Sequence, residues 1–411
     1  MYFSRKISNQ KLVLLSIRGL SVAAKFLFTL LFFKYSEEVF GIYSLVAVTI
    51  LLLVYVLGAD FYSYANRELL KPDSDKQKII FNQFVFYFFL YFLFFIPVYY
   101  LFTSLNLSVS NFRLFYLVLV TEHLGFEFYR LLFIFKKPLA ANINLFLRNG
   151  LWVLAATYIL WIKEKITIDE ILLLWLSGNI AGLIFSLLVI LSKKKKWVKT
   201  SFRFDFQWIK KGLVISLPYI LGTIAYKTIE FADRYMIDFY LNKKEVGVYS
   251  FFANMANVMN IVLFTLVVSV LYPFLVEGIM ENNKEKFLFY YQKFKKEIII
   301  GSIAMLLLLS ILLPLVLWAI HKTYYIKDFY VFLLLAISNF LLNLSFLYHY
   351  IIYAHHRDWI IFKATFIGAT ANILLNVLLI PLIGIGGAAL ATFVSFLLIL
   401  LIKKRQALKL I

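Results

Sequence analysis

Arg18 and Lys25 stand seven residues apart inside a largely apolar stretch, Leu12–Phe33. Two turns of 3.6 residues bring the second nearly back to the azimuth of the first, so a helix carries both cations on one face. The rise per residue sets Arg18 roughly 9 Å and Lys25 roughly 20 Å from the Leu12 end. A bilayer core is only about 30 Å thick, so Lys25 falls near its middle. A charge at that depth costs on the order of 2.5–3.5 kcal/mol on insertion scales. Neither cation can face lipid; both must line an internal, hydrated space that something negative visits. The seventh apolar span repeats the spacing with Lys227 and Arg234, but Glu230 lies between them. Those three can neutralise one another as a ladder on one helix face, or two of them can contact a ligand. Arg148, about 15 Å into the fifth span, has Asn144 one turn below it and no carboxylate on its own helix, so it needs a partner from elsewhere, a ligand before a group on another helix. Lys363 is shallow in the eleventh span and reads as a snorkelling anchor.

Acidic groups gather in the fourth span. His123, Glu127 and Arg130 follow one another along a single stripe, with Glu122 beside it. Glu127 and Arg130 fit an ion pair. Glu122 and His123 together suit a proton site, since burial raises a carboxyl pKa and imidazole titrates near neutrality. Glu122, His123 and Glu127 are therefore the ion-coupling candidates. On the eighth span Ser250, Asn254 and Asn257 form a neutral stripe edged by Asn260, suited to interhelical hydrogen bonds or to sugar hydroxyls. Arg18, Lys25, Arg148, Lys227 and Lys363 outnumber Glu122, Glu127 and Glu230 inside the spans, so the interior carries net positive charge. A phosphate or pyrophosphate head group is its natural complement, with arginine best suited to forked contacts.

Other chemistries are poorly supported. His355 and His356 are adjacent rather than four apart, which makes them poor joint metal ligands on a helix, and no metal or cofactor is expected. His356-Arg357-Asp358 matches a kinase triplet, but Lys363 stands where that motif requires Asn. No glycine-rich phosphate loop is present, which argues against ATP hydrolysis, and zero cysteines exclude thiolate chemistry.

Positioning these residues takes an all-α polytopic membrane protein. Of 411 residues 63% are hydrophobic, where a soluble domain is about half apolar. Twelve apolar spans run from about residue 12 to residue 402, and a membrane barrel would show alternating ten-residue strands instead. The first span is too long and too charged for a cleavable signal. Net charge is +20, concentrated at span ends, where orientation and lipid headgroups account for it; no nucleic-acid partner is expected. The basic stretch 193–211 divides the chain into six-helix bundles at 1–192 and 212–411 and, by the positive-inside rule, puts both termini in the cytoplasm. The bundles echo one another: Glu38-Val-Phe-Gly41-Ile-Tyr43-Ser44 opens the second span and Glu245-Val-Gly247-Val-Tyr249-Ser250 the eighth. An even number of spans per half makes this a parallel repeat, an architecture that normally holds its substrate between the halves near the midplane. Pro97, Pro218, Pro314 and Pro381 fall inside spans; Pro218, below the charges of the seventh, is the expected hinge. Gly178 and Gly182 form a small-xxx-small pair suited to close helix packing.

The cationic first span, Gly41-Ile-Tyr43-Ser44, Gly58 followed by Arg67-Glu68, and Asp233-Arg234 leading to Val246-Gly247-Val-Tyr249-Ser250 carry a resemblance. The whole chain resembles the Wzx-type polysaccharide biosynthesis proteins, the O-antigen flippases of the multidrug/oligosaccharidyl-lipid/polysaccharide exporter superfamily. That resemblance implies a bacterial inner-membrane protein of twelve helices in two bundles. It implies transfer of an undecaprenyl-pyrophosphate-linked oligosaccharide from the inner to the outer leaflet by alternating access, coupled to an H+ or Na+ gradient. It further implies pyrophosphate contacts from the cations of the first and seventh spans, and a glycan polymerase machinery as partner. Two other readings stand beside it: a MATE-like small-molecule exporter, disfavoured by the positive interior, and a membrane glycan polymerase or ligase, disfavoured by short outer connections.

Overall fold

A computed structural model describes residues 2–71, 75–105, 107, 109–192 and 203–411, with side chains from residue 16 onward. Residues 193–202, most of the basic stretch, lie outside the described residues. The fold is all-α, and no strand occurs among the described residues. Among the described residues eleven helical passes are long and apolar enough to cross a membrane, making this a multi-pass membrane protein. The remaining long helix, α5 (Phe112–Ile134), has the length of a span but carries Glu122, His123, Glu127 and Arg130.

Helices α1 (Tyr2–Tyr35), α2 (Glu37–Gly58), the short α3 (Tyr62–Leu69), α4 (Lys76–Ser104) and α5 come first. The fifth pass is built from α6 (Pro138–Phe146), a π turn over Leu147–Leu151, and α7 (Trp152–Lys163); α8 (Ile168–Leu191) follows. Helix starts are set by side chains that satisfy the free amides of the first turn. Ser36 caps α2, Asn111 caps α5, and Thr167 with Glu170 closes a capping box on α8. Helix α5 packs on α8, α6 and α2, and α1 runs along α6, the π turn and α7.

The chain divides into two compact units, Met1–Leu221 and Gly222–Ile411. This differs from a seam at 193–211, because Phe206–Tyr240 is one continuous helix, α9, and the final residues of that stretch are its first turns. Lys78 pairs with Asp205 at 2.7 Å and Asn82 accepts from the Asp205 amide at 2.6 Å, which ties the start of α9 to α4. Pro218 sits within α9 three residues before the division, so the backbone hydrogen bond it cannot donate is lost beside that boundary.

The second unit continues with α10 (Lys243–Leu263), a π turn over Phe264–Val268, and α11 (Ser269–Met280). Then come α12 (Lys284–Ala319), α13 (Phe329–Ala354), α14 (Asp358–Ile383) and α15 (Ile385–Ala407). Helix α15 packs against both α13 and α14. It is the most buried candidate span, 61% against 22% for α12, and its small residues Gly386, Gly387, Ala388, Ala389 and Ala391 permit that close approach.

Close approach also shapes the first unit. A Cβ on Gly178 would lie 2.8 Å from the Leu147 carbonyl, and one on Gly182 2.6 Å from Arg148 Cγ. A Cβ on Gly125 would overlap the Arg148 guanidinium itself. Gly222 has nothing within 4 Å of its Cβ position. Overpacking a closed core costs about 1–3 kcal/mol, whereas replacing an unencumbered helical glycine by alanine gains up to about 1 kcal/mol. Thermal unfolding in detergent should therefore show a lowered midpoint for Gly125→Ala and an unchanged or raised midpoint for Gly222→Ala.

Candidate functional site

The two cations of α1 meet neutral partners on the fifth pass. Arg18 Nε donates to Asn142 Oδ1 at 2.7 Å, and a terminal nitrogen reaches the Tyr129 hydroxyl at 3.4 Å. Lys25 Nζ lies 3.5 Å from Asn149 Oδ1. Both cations are exposed, and among the described residues neither forms an ion pair.

Arg148 behaves differently. Its spacing assigns it to a ligand, yet it is 0% exposed and paired with Glu122 at 2.6 Å. Glu122 also accepts from Trp175 Nε1 at 2.9 Å, and its carbonyl accepts from Arg148 at 3.2 Å. Phe126 offers its ring 4.6 Å from the guanidinium carbon, and the Trp152 and Trp175 rings stack at 5.3 Å. The carboxylate missing from the helix of Arg148 is supplied by α5. Burying a guanidinium requires such a counter-ion, and with α8 closing over it no face is left for a ligand. Asn144, one turn below, instead donates to the Gly182 carbonyl at 3.0 Å and to Ser186 Oγ at 2.7 Å.

Glu122 and His123 do not form a joint site. While Glu122 points to Arg148, His123 Nδ1 contacts the Tyr91 hydroxyl at 2.5 Å, and its Nε2 lies 3.7 Å from Glu127. Tyr87 meets the imidazole edge-on at 4.7 Å, and a Cβ on Gly58 would lie 2.6 Å from His123 Nε2. Glu127 accepts from Gln83 at 2.8 Å and pairs with Arg130, whose guanidinium sits 3.5 Å above the Tyr62 ring. One stripe on α5 thus separates into an arginine-neutralised carboxylate facing α8 and a histidine–carboxylate–arginine group facing α4.

In the second unit Lys227 pairs with Glu230 at 2.6 Å. Arg234 donates to Ser250 Oγ at 3.1 Å and to the Glu230 carbonyl at 2.9 Å. Ser250 is therefore turned inward, Asn254 is exposed, and Asn257 accepts from Asn260 on its own helix at 3.2 Å. Lys363 is exposed beside Trp359, its ammonium 5.5 Å from the ring.

Asp233 and Lys403 are buried ionisable groups that spacing does not single out. Asp233, 2% exposed, accepts from Asn376 Nδ2 at 2.7 Å, from Thr392 Oγ1 at 2.6 Å and from the Tyr249 hydroxyl. Its donors come from α10, α14 and α15 and all are uncharged. Lys403, 5% exposed at the end of α15, lies 3.5 Å from His349 Nδ1. A carboxylate inside an apolar span was a usable signal for Asp233; a basic helix end hid Lys403. Among the described residues no group of three or more His, Asp or Glu side chains is suited to a metal ion.

The chain is similar in fold to an inward-facing multidrug resistance MATE family transporter of the MOP superfamily: TM-score 0.76, 13% identity, 97% of this chain and 98% of that chain covered. It is also similar to the lipid II flippase MurJ in its inward closed conformation, with TM-score 0.72, 17% identity, and 97% and 90% of the two chains covered. A MOP superfamily transporter from Pyrococcus furiosus Vc1, described as having a binding pocket of reverse polarity, aligns with TM-score 0.66 and 13% identity over 97% and 94%. No curated protein matches by sequence. The family model for polysaccharide biosynthesis proteins matches residues 11–279, well over half of the 411-residue chain, and the chain belongs to that family.

Proposed function

We propose that this protein is a flippase that moves an undecaprenyl-pyrophosphate-linked oligosaccharide, an O-antigen or capsule repeat unit, from the inner to the outer leaflet. It works by alternating access in the bacterial cytoplasmic membrane, with both termini in the cytoplasm. The observation that carries this reading is the face of α1: two cations inside an apolar helix, oriented by Asn142 and Asn149 and not paired with a carboxylate. An electropositive surface at membrane depth is stable only against water or an anion, and pyrophosphate is the anion of a lipid-linked sugar. Exposed Asn254 and half-buried Asn257 supply amides for sugar hydroxyls. The fold likeness to MATE transporters supports a small-molecule exporter as the second reading, but the cations of α1 suit anionic cargo rather than cationic drugs. Glycan polymerisation by this chain has less support, since the described connections between helices are short.

The coupling ion, H+ or Na+, belongs at Asp233 on this reading rather than at Glu122, His123 or Glu127. Glu122 and Glu127 each already face an arginine, so an incoming cation would have to displace a fixed charge. Asp233 meets only neutral hydrogen-bond donors, and a proton or a small cation can compensate its charge directly.

An Arg18→Gln, Lys25→Gln double variant should insert normally yet lose surface glycan and accumulate the lipid-linked unit on the inner leaflet; export at the parental rate would overturn the anion reading. Asp233→Asn should make transport in vesicles insensitive to an imposed ion gradient without lowering the yield of folded protein. Glu122→Gln should instead destabilise the fold by about 3–5 kcal/mol by stranding Arg148, read as a fall in melting temperature. If Glu122→Gln melts normally and abolishes gradient dependence, the ion belongs at Glu122.

A further inference from the structure

The contacts of α1 with the fifth pass repeat in register. Arg18 and Lys25 are seven apart, and so are their partners Asn142 and Asn149. The two helices therefore lie parallel in this stretch, each cation level with one amide. The π turn at Leu147–Leu151 lies on the upper rung, where adjacent residues do different work: Arg148 turns to Glu122 and Asn149 to Lys25. At the lower rung the amide is fixed, because Asn142 Nδ2 donates to the Pro138 carbonyl at 2.8 Å and leaves Oδ1 aimed at Arg18. Asn142 is itself 2% exposed.

Three other cations are held by carboxylates: Arg148 by Glu122, Arg130 by Glu127, Lys227 by Glu230. A carboxylate orients a cation but cancels its charge; an amide oxygen orients it through a dipole and leaves the charge intact. We propose that Asn142 and Asn149 are positioning residues of an anion site, holding Arg18 and Lys25 ready for a pyrophosphate group while leaving both charges uncompensated. The inference rests on the proposed function and adds to it the two residues that set the site's charge. Their substitution by aspartate, of nearly equal size, should convert each rung into an internal ion pair that competes with the anion.

Titration calorimetry of the purified full chain with inorganic pyrophosphate tests this. Asn142→Asp and Asn149→Asp should each weaken binding ~10-fold or more, equivalent to about 1.4 kcal/mol, while melting temperature holds or rises. Asn142→Ala should weaken binding less than Asn142→Asp although it removes more contacts, because the charge of Arg18 survives. A merely structural role predicts the reverse order, with affinity following melting temperature. Wild-type affinity in both aspartate variants, with Arg18→Gln defective, overturns this inference and leaves the proposed function standing. Absence of pyrophosphate binding by the wild type, or no effect of Arg18→Gln, overturns both.

Discussion

Complete burial of the Arg148 guanidinium is tolerable only because Glu122 meets it at 2.6 Å and Trp175 holds the other carboxylate oxygen. Each ion alone would cost several kcal/mol in this interior, so the pair behaves as one unit. Much of the first unit's architecture follows from it. Helices α5, α8 and the fifth pass must converge on one point, Gly125 and Gly182 must stay without side chains, and the fifth pass must widen into a π turn there. Functional sites and π turns often coincide; here the turn sits where a structural ion pair and a cation-facing amide occupy neighbouring residues.

Three ways of holding a charge bear on the proposed function. Arg148, Arg130 and Lys227 are matched with carboxylates, and their fields are largely cancelled. Asp233 is matched with neutral donors from three helices, which keeps a buried carboxylate solvated without a counter-ion. Arg18 and Lys25 are matched with amide oxygens. The first arrangement builds a fold; the other two leave charge available, and the proposed transport cycle draws on those for the anionic cargo and for the driving ion.

How much of this was legible in the sequence depended on whether the information was local. Apolar runs separated by basic ends gave the all-α membrane fold directly, and even the charged α5 was recovered because its length and flanks resembled the others. Seven-residue spacing put Arg18 and Lys25 on one face. Partners distant along the chain are not legible: Arg148 and Glu122 are on different helices, and spacing alone does not say whether a ligand or another helix meets Arg148. The stripe His123–Glu127–Arg130 was found, but helical periodicity says nothing about which neighbour each side chain meets, and Glu122 and His123 diverge. Nor does composition announce a π turn, since one extra residue per turn leaves an apolar span equally apolar. The boundary between units lies inside α9 rather than in the basic stretch, because charge marks where a chain leaves the membrane rather than where contacts divide.

The charge borne by α5 bears on how the chain is made. Among the described residues it is the one long helix too polar to qualify as a span unaided, and Arg148, which compensates Glu122, is synthesised later, on the next pass. A nascent α5 leaving the translocation channel on its own would strand Glu122 in hydrocarbon. The arginine of the next pass removes that cost, so the insertion energy of α5 depends on a residue made after it.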